Sequence, residues 1–271
     1  MRQMAVSGAF YPSSGEHLSA SIKRFFGVAK PSSSPCNAII APHAGHMYSG
    51  QTAAYAYSAA GNITDENITA VFLGPNHTGA GEIISISDDD WETPLGISKI
   101  DKELAAAIYY SSNLSSMDDE AHMGEHSIEV QLPFLQHLNK EARIVCICMM
   151  AQNIDAAQDI GQAIFKAQKE TKRNILLVAS SDFTHFESAK KAEELDAAAM
   201  ERIQVLDAQG FEEIVEKNRL SICGHAPIAA AMHYSKLKGS KTAELLKYTT
   251  SGAVTGDTSN VVAYAAFAVR K

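Results

Sequence analysis

The sequence predicts an α/β protein in which a central mixed sheet is flanked by helices, within a single domain that spans residues 1–271. Short apolar runs rich in β-branched residues end directly at turn residues, which is typical of buried central strands. Longer stretches with apolar residues at steps of three and four lie between them and predict amphipathic helices. The length of 271 residues and a hydrophobic content of 46% suit one large core.

The predicted elements follow one another along the chain in alternating order. Strands are predicted at 37–41, 69–73, 143–150, 174–179 and 261–269. Helices are predicted at 101–110, 155–169, 188–206 and 226–236, with a further helix that begins near Gln51. This alternation favours the α/β class over all-α or all-β architectures.

Composition and charge exclude several functions. The formal charge of −8 and the scattered lysines and arginines offer no footprint for nucleic acid. No apolar signal segment or long apolar run is found, so we expect a cytoplasmic protein without a membrane contact. The four cysteines match neither a zinc ribbon nor a disulfide framework, so we expect reduced thiols.

Histidines follow two of the predicted strands. The first strand leads into Pro42-His43-Ala44-Gly45-His46, and the second leads into Gly74-Pro75-Asn76-His77. In open α/β sheets the binding crevice lies outside the carboxyl ends of the strands. We therefore interpret His43 and His77 as metal ligands, although a lone loop histidine is more often structural.

Three further segments carry candidate groups. The loop after the fourth predicted strand contains Asp182 and His185, an acid and a base that suit proton transfer or a bracing pair. Cys223 precedes a predicted helix, whose dipole is expected to favour the thiolate, and it is either a ligand or a buried thiol. His126, with Glu129 near it, is placed at the mouth of another helix. Imidazole and thiolate together suit zinc, iron or copper better than magnesium or calcium.

Six motifs resemble those of the Memo family. They are Gly8-Ala9-Phe10-Tyr11-Pro12, Pro42-His43-Ala44-Gly45, Gly74-Pro75-Asn76-His77, Glu125-His126-Ser127-Ile128-Glu129, Ser181-Asp182-Phe183-Thr184-His185 and Cys223-Gly224. The resemblance runs from Val6 to Val269. It implies one α/β domain similar to the class III extradiol dioxygenases, which hold non-haem iron through two histidines and a glutamate.

The resemblance also assigns roles to individual residues. It implies that His43 and His77 match the two histidine ligands, that Cys223 replaces the carboxylate, and that His185 is the acid/base with Asp182 beside it. A thiolate changes the charge and redox behaviour of a metal, so ring cleavage is not inherited with the fold. Prokaryotic family members are commonly encoded beside a radical S-adenosylmethionine protein and an AMMECR-type protein, which implies these partners.

The leading hypothesis is a metal-dependent oxidoreductase that acts on an unknown small molecule. His43, His77 and Cys223 would hold the metal, with iron favoured over copper or zinc, while His185, Asp182 and His126 would take catalytic roles. The alternatives are a zinc-dependent hydrolase, an adaptor that binds a peptide or protein in the same pocket, and a thiol enzyme with Cys223 as nucleophile.

Overall fold

The computed structural model describes residues 1–270 and is built around a mixed β-sheet. The strands are β1 (Cys36–Ala41), β2 (Ile68–Pro75), β3 (Ile84–Ile86), β4 (Trp91–Thr93), β5 (Gly96–Ser98), β6 (Ser116–Met117), β7 (Arg143–Met149), β8 (Asn174–Ser180), β9 (His185–Glu187), β10 (Ala243–Thr250) and β11 (Val261–Arg270). The order β10-β11-β1-β8-β2-β7-β3-β6 defines the nine-stranded main sheet, with β9 paired to β11. Strands β4 and β5 form a separate hairpin.

The centre of the sheet is parallel and its flanks are antiparallel. Strands β1, β8, β2 and β7 run in the same direction, each paired to the next in that order. Strand β11 runs antiparallel to β1 and β10, and β3 runs antiparallel to β7. The prediction of a central mixed sheet is therefore confirmed. All five predicted strands are present within one or two residues at either end.

Helices flank the sheet. They are α1 (Gly15–Phe26), α2 (His46–Ala59), α3 (Lys102–Ser111), α4 (Leu132–Leu138), α5 (Ile154–Thr171), α6 (Ala189–Gln204), α7 (Ala208–Asn218), α8 (His225–Leu237) and α9 (Gly252–Thr255). The four bounded helix predictions are confirmed as α3, α5, α6 and α8. The helix predicted from Gln51 begins earlier, at His46. Gly45 takes its N-cap position, and no side chain caps this end of the helix.

The core lies between the central strands and the helices packed on them. Every residue of β2 is buried, as expected for a parallel strand covered on both faces. Helix α2 packs on β1, β10 and β11, while α8 packs on β1, β2 and β8 with α5 beside it. Within residues 1–270, no helix is long and apolar enough to cross a membrane.

A buried carboxylate ties the N-terminal segment to the body of the protein. Glu129 accepts hydrogen bonds from the Arg2 guanidinium, the Tyr11 hydroxyl and the backbone N–H groups of Ala5 and Val6. The Arg2 guanidinium also lies 4.4 Å from the centre of the Trp91 ring. Glu129 lies directly before α4, as expected, and its side chain is fully buried in this network rather than facing the candidate site.

We expect Glu129→Ala to destabilise the fold by about 3–5 kcal/mol, because it leaves the buried Arg2 charge without its partner. The free energy of unfolding from urea titration measures the effect. Glu141→Ala, which removes an exposed carboxylate, serves as the control and should change stability by less than about 0.5 kcal/mol. Equal losses in the two variants would contradict a structural role for Glu129.

Candidate metal centre

The carboxyl ends of three neighbouring parallel strands bring the candidate residues together. The loop after β1 carries His43, the loop after β8 carries Asp182, and the loop after β2 carries His77. Because β8 lies between β1 and β2 in the sheet, these loops are spatial neighbours although they are far apart in sequence. The crevice expected at this edge of an α/β sheet is therefore lined by the histidine loops.

Three imidazoles form a compact cluster in this crevice. One potential ligand atom from each of His43, His77 and His126 lies within 4.8 Å of those from the other two. The ring centroids are 5.2 Å apart for His43 and His77, 5.4 Å for His43 and His126, and 4.6 Å for His77 and His126. His126 was expected to take a catalytic role, and the geometry also makes it a potential ligand.

The Nδ1 atoms of the three rings are held by neighbouring side chains. Ser180 Oγ lies 3.0 Å from Nδ1 of His43. Glu125 Oε1 lies 3.0 Å from Nδ1 of His77 and 3.3 Å from Nδ1 of His126. A hydrogen bond to one nitrogen of a histidine fixes the tautomer and orients the other nitrogen toward a metal. Nε2 is therefore the nitrogen available for coordination in His43 and His77, and the contact with Glu125 favours the same nitrogen in His126.

Glu125 contacts two of the three histidine rings of the cluster. Its side chain is 1% exposed, and it accepts hydrogen bonds from the backbone N–H groups of His77, His126 and Ser127 as well as contacting the two rings. Burial opposes its charge, but the His77 ring and these N–H donors lower the pKa of Glu125 to about 2. The carboxylate is therefore ionised at neutral pH.

The histidines nearest the interior are held neutral. Burial, together with the charges that His126 and His77 would carry, holds the pKa of His43 well below its usual range. Burial also lowers the pKa of His126, although Glu125 opposes this effect. Only a neutral imidazole can donate an electron pair to a metal, so this environment suits coordination at physiological pH.

Cys223 lies against the cluster. Its Sγ atom is 3.1 Å from Nε2 of His43 and accepts a hydrogen bond of 3.2 Å from the backbone N–H of Asp182. Gly224 permits this approach, since a Cβ atom there would lie 2.4 Å from the carbonyl oxygen of Ser180. Desolvation and the nearby Asp182 carboxylate raise the pKa of the Cys223 thiol. The expectation that the helix dipole favours the thiolate is therefore wrong for the metal-free protein.

Asp182 and His185 occupy different positions from those expected of a bracing pair. The Asp182 carboxylate accepts hydrogen bonds from the backbone N–H groups of His43 and Ala44, at 2.8 and 3.3 Å. The His185 ring instead contacts the carbonyl oxygen of Ser221, 2.9 Å from Nδ1. Burial raises the pKa of Asp182 to about 6, against the opposing effect of these hydrogen bonds and of the charge on His185. A positive charge on His185 would lower the pKa of Asp182, but no hydrogen bond joins the two side chains.

The donor set fits a divalent transition metal. Imidazole nitrogens with oriented Nδ1 atoms, beside one sulfur, form the type of ligand group that zinc, iron and copper prefer. A tetrahedral ion bound at ~2.0–2.3 Å places its donor atoms roughly 3.3–3.8 Å apart. The separation of 3.1 Å between Cys223 Sγ and His43 Nε2 is close to that spacing.

The supporting residues were not identified from the sequence. Glu125 and Ser180 stand in motifs with the histidines, but nothing in a one-dimensional pattern shows which rings they contact. The packing role of Gly74 was not identified either. A Cβ atom there would lie 2.5 Å from Ser127 Oγ, so glycine lets the segment with His126 pack on the end of β2. Acidic residues adjacent to a candidate histidine are the signal that would have pointed to Glu125.

Fold and site together define an α/β protein with a candidate metal centre at the carboxyl edge of its sheet. The family described as Memo-like protein matches residues 2–268, so the chain belongs to the Memo family. A MEMO1 family protein of Methanopyrus kandleri is 42% identical, covering 100% of this chain and 99% of its own. One of Methanosarcina barkeri is 40% identical, covering 99% and 100%.

A solved structure is also similar to part of the chain. The crystal structure of an uncharacterized protein from Escherichia coli K12 covers 73% of this chain and 84% of its own, with 13% identity and a TM-score of 0.42. This TM-score and identity are too low to carry an argument about function. Family membership, predicted from the motifs, is confirmed by the sequence relatives.

The low pKa of Glu125 has a consequence for stability. Its folded pKa of about 2 lies below its ordinary value of 4.5, so its charge stabilises the fold above about pH 4.5, and this contribution is lost as the pH falls toward 2. The shift corresponds to about 3 kcal/mol. We therefore expect the stability advantage of the metal-free wild type over Glu125→Gln to narrow between roughly pH 5 and pH 2 in urea titrations. A pH-independent difference would contradict this assignment.

Proposed function

We propose that the chain is a metal-dependent redox enzyme in which His43, His77 and Cys223 bind the metal and a small molecule reacts beside it. The observation that carries this proposal is the group of three imidazoles within 4.8 Å, each with Nδ1 held by a neighbouring side chain. The sulfur of Cys223 beside His43 adds a fourth potential donor. Partners at Nδ1 that leave Nε2 toward the cluster are the arrangement typical of metal-binding histidines.

The ligands come from separate parts of the fold, and His126 lies within reach of the same ion. His43 and His77 follow parallel strands, whereas Cys223 precedes α8 and His126 lies on the segment before α4. Three protein ligands would leave coordination positions for a substrate. The resemblance to non-haem iron proteins favours iron, and copper or zinc also suit these donors. An iron or copper ion would supply one-electron redox chemistry at this position.

His185 is suited to proton transfer. The carbonyl oxygen of Ser221 can only accept a hydrogen bond, so Nδ1 of the neutral His185 ring carries the proton. Nε2 is then free to accept a proton from a bound molecule. The half-buried ring therefore presents its basic nitrogen without competition from Asp182. Asp182, with a pKa of about 6, can hold a proton near neutral pH while its carboxylate positions the His43 loop.

We expect the anaerobically purified protein to contain close to one equivalent of a transition metal. His43→Ala and Cys223→Ser should weaken metal binding by more than the roughly 10–100-fold that loss of a supporting hydrogen bond causes. Elemental analysis and competition with a chelator measure this. His17→Ala removes an exposed histidine on α1 and serves as the control.

The same experiment assigns the third ligand. Binding lost in Cys223→Ser but retained in His126→Ala supports the thiolate, with His126 left for a catalytic role. The converse result would replace Cys223 by His126 in the ligand set. A wild-type protein that binds no stoichiometric iron, copper or zinc would overturn the proposal.

A second candidate function is a thiol enzyme, because Cys223 and His43 form a nucleophile and base within hydrogen-bond distance. Ser180 orients the far side of the His43 ring, as the third member of a triad would. The raised pKa of Cys223 argues against this alternative, since the nucleophile must be the thiolate.

Alkylation separates the two functions. A coordinated Cys223 should be alkylated by iodoacetamide more slowly in the metal-loaded protein than after chelation, where its raised pKa still keeps the reaction slow, as measured by peptide mass spectrometry. Alkylation at equal rates in both forms, with the metal retained, would favour the thiol enzyme. Buried Cys146 provides the internal control because it should stay unmodified in the folded protein.

A further inference from the structure

Phe186 combines two features that folding alone does not explain. Its side chain is 77% exposed, so it contributes little to the core. Its backbone has φ of 62°, in the left-handed region that strongly disfavours a bulky side chain. Such strain in the absence of a packing benefit is characteristic of residues kept for a functional contact.

The strain arises from a β-bulge. His185 and Glu187 pair with the adjacent residues Val262 and Val261 of β11, which leaves Phe186 as the extra residue between them. Glycine is the residue preferred at a left-handed bulge position. The backbone before the bulge is fixed by a hydrogen bond from His185 N–H to Ser221 Oγ. The bulge therefore directs the Phe186 ring outward from a firmly held backbone.

This ring lies beside a residue of the candidate site. Its centroid is 5.7 Å from that of His185, whose backbone N–H and Nδ1 bind Ser221, two residues before Cys223. A second aromatic ring flanks the cluster from the N-terminal segment, where Phe10 lies 4.6 Å from the His126 ring at an angle of 42°. The hydrogen bond from His46 N–H to the Phe10 carbonyl oxygen holds that segment in place. Two partly or largely exposed aromatic rings thus lie beside histidines of the candidate site, Phe10 beside His126 and Phe186 beside His185.

We propose that Phe186 determines substrate specificity by packing against a planar, apolar group of the substrate, with Phe10 as the second wall. The ligand class is a small molecule in which such a group carries a donor that reaches the metal. Aromatic rings offer a large apolar contact area and favour offset or edge-to-face packing with another ring. This inference rests on the proposed metal centre, since the metal would anchor the polar end of the ligand.

Two chelating probes that differ only in their apolar part test the inference. Benzohydroxamate and acetohydroxamate carry the same metal-binding group, and calorimetry with the cobalt-loaded protein measures their affinities. We expect the wild type to prefer benzohydroxamate and Phe186→Ala to reduce that preference by roughly 2- to 13-fold. Phe186→Tyr should restore it. Tyr110→Ala, which removes an equally exposed ring from α3, is the matched control and should leave the preference unchanged.

A second variant distinguishes lost contact from lost structure. Phe186→Gly removes the ring and also relieves the left-handed strain, so it should raise the melting temperature while it loses the preference for benzohydroxamate. An unchanged preference in Phe186→Ala and Phe186→Gly would overturn the inference. So would a loss of self-association in these variants with chelator binding intact, because the ring would then serve contacts between copies of the chain.

Failure of the metal centre gives a different result. In that case wild-type protein binds neither hydroxamate and retains no cobalt after dialysis, and both proposals are overturned together. Stoichiometric cobalt with equal affinity for the two probes in the wild type overturns only the aromatic specificity. The metal content and the affinity ratio therefore report separately on the two proposals.

Discussion

The buried Glu125 carboxylate is the interaction on which the candidate site most depends. It contacts the rings of His77 and His126 and also accepts the backbone N–H groups of both residues. One anion thus fixes two loops and two imidazole tautomers at once. Its charge is maintained by these donors despite burial, so the same hydrogen bonds that fold the loops also keep the carboxylate ionised.

The rest of the cluster is held by side chains that bind the backbone of neighbouring loops. Asp182, after β8, accepts the N–H groups of His43 and Ala44, after β1. Ser180 donates to the carbonyl oxygen of Ser127 and contacts the His43 ring, which links the sheet edge to the segment of His126. Every loop that carries a potential ligand is therefore bound to another such loop. A site built this way has its donor atoms positioned before any ligand binds.

The sequence predicted the central strands because parallel strands buried on both faces read as continuous apolar runs. It also located His43 and His77, since position at the end of such a strand can be read directly from the pattern. The short strands β3 to β6 and β9 escaped prediction because two or three residues carry no measurable periodicity. The place of His126 in the cluster depends on the packing of Ser127 against Gly74, a contact between distant segments.

Electrostatic behaviour was the least predictable feature, and Cys223 shows why. A helix terminus favours a thiolate, but here the cost of desolvation and the adjacent Asp182 outweigh the dipole and keep the proton on sulfur. The centre therefore combines a neutral His43 and a neutral thiol with the buried carboxylates of Glu125 and Asp182. A divalent ion bound by Cys223 would displace the thiol proton, and the resulting thiolate would join the Glu125 and Asp182 carboxylates in offsetting the charge of the ion. A thiolate ligand is softer than a carboxylate and changes the chemistry of the ion that it binds, which is why the fold alone does not determine the reaction.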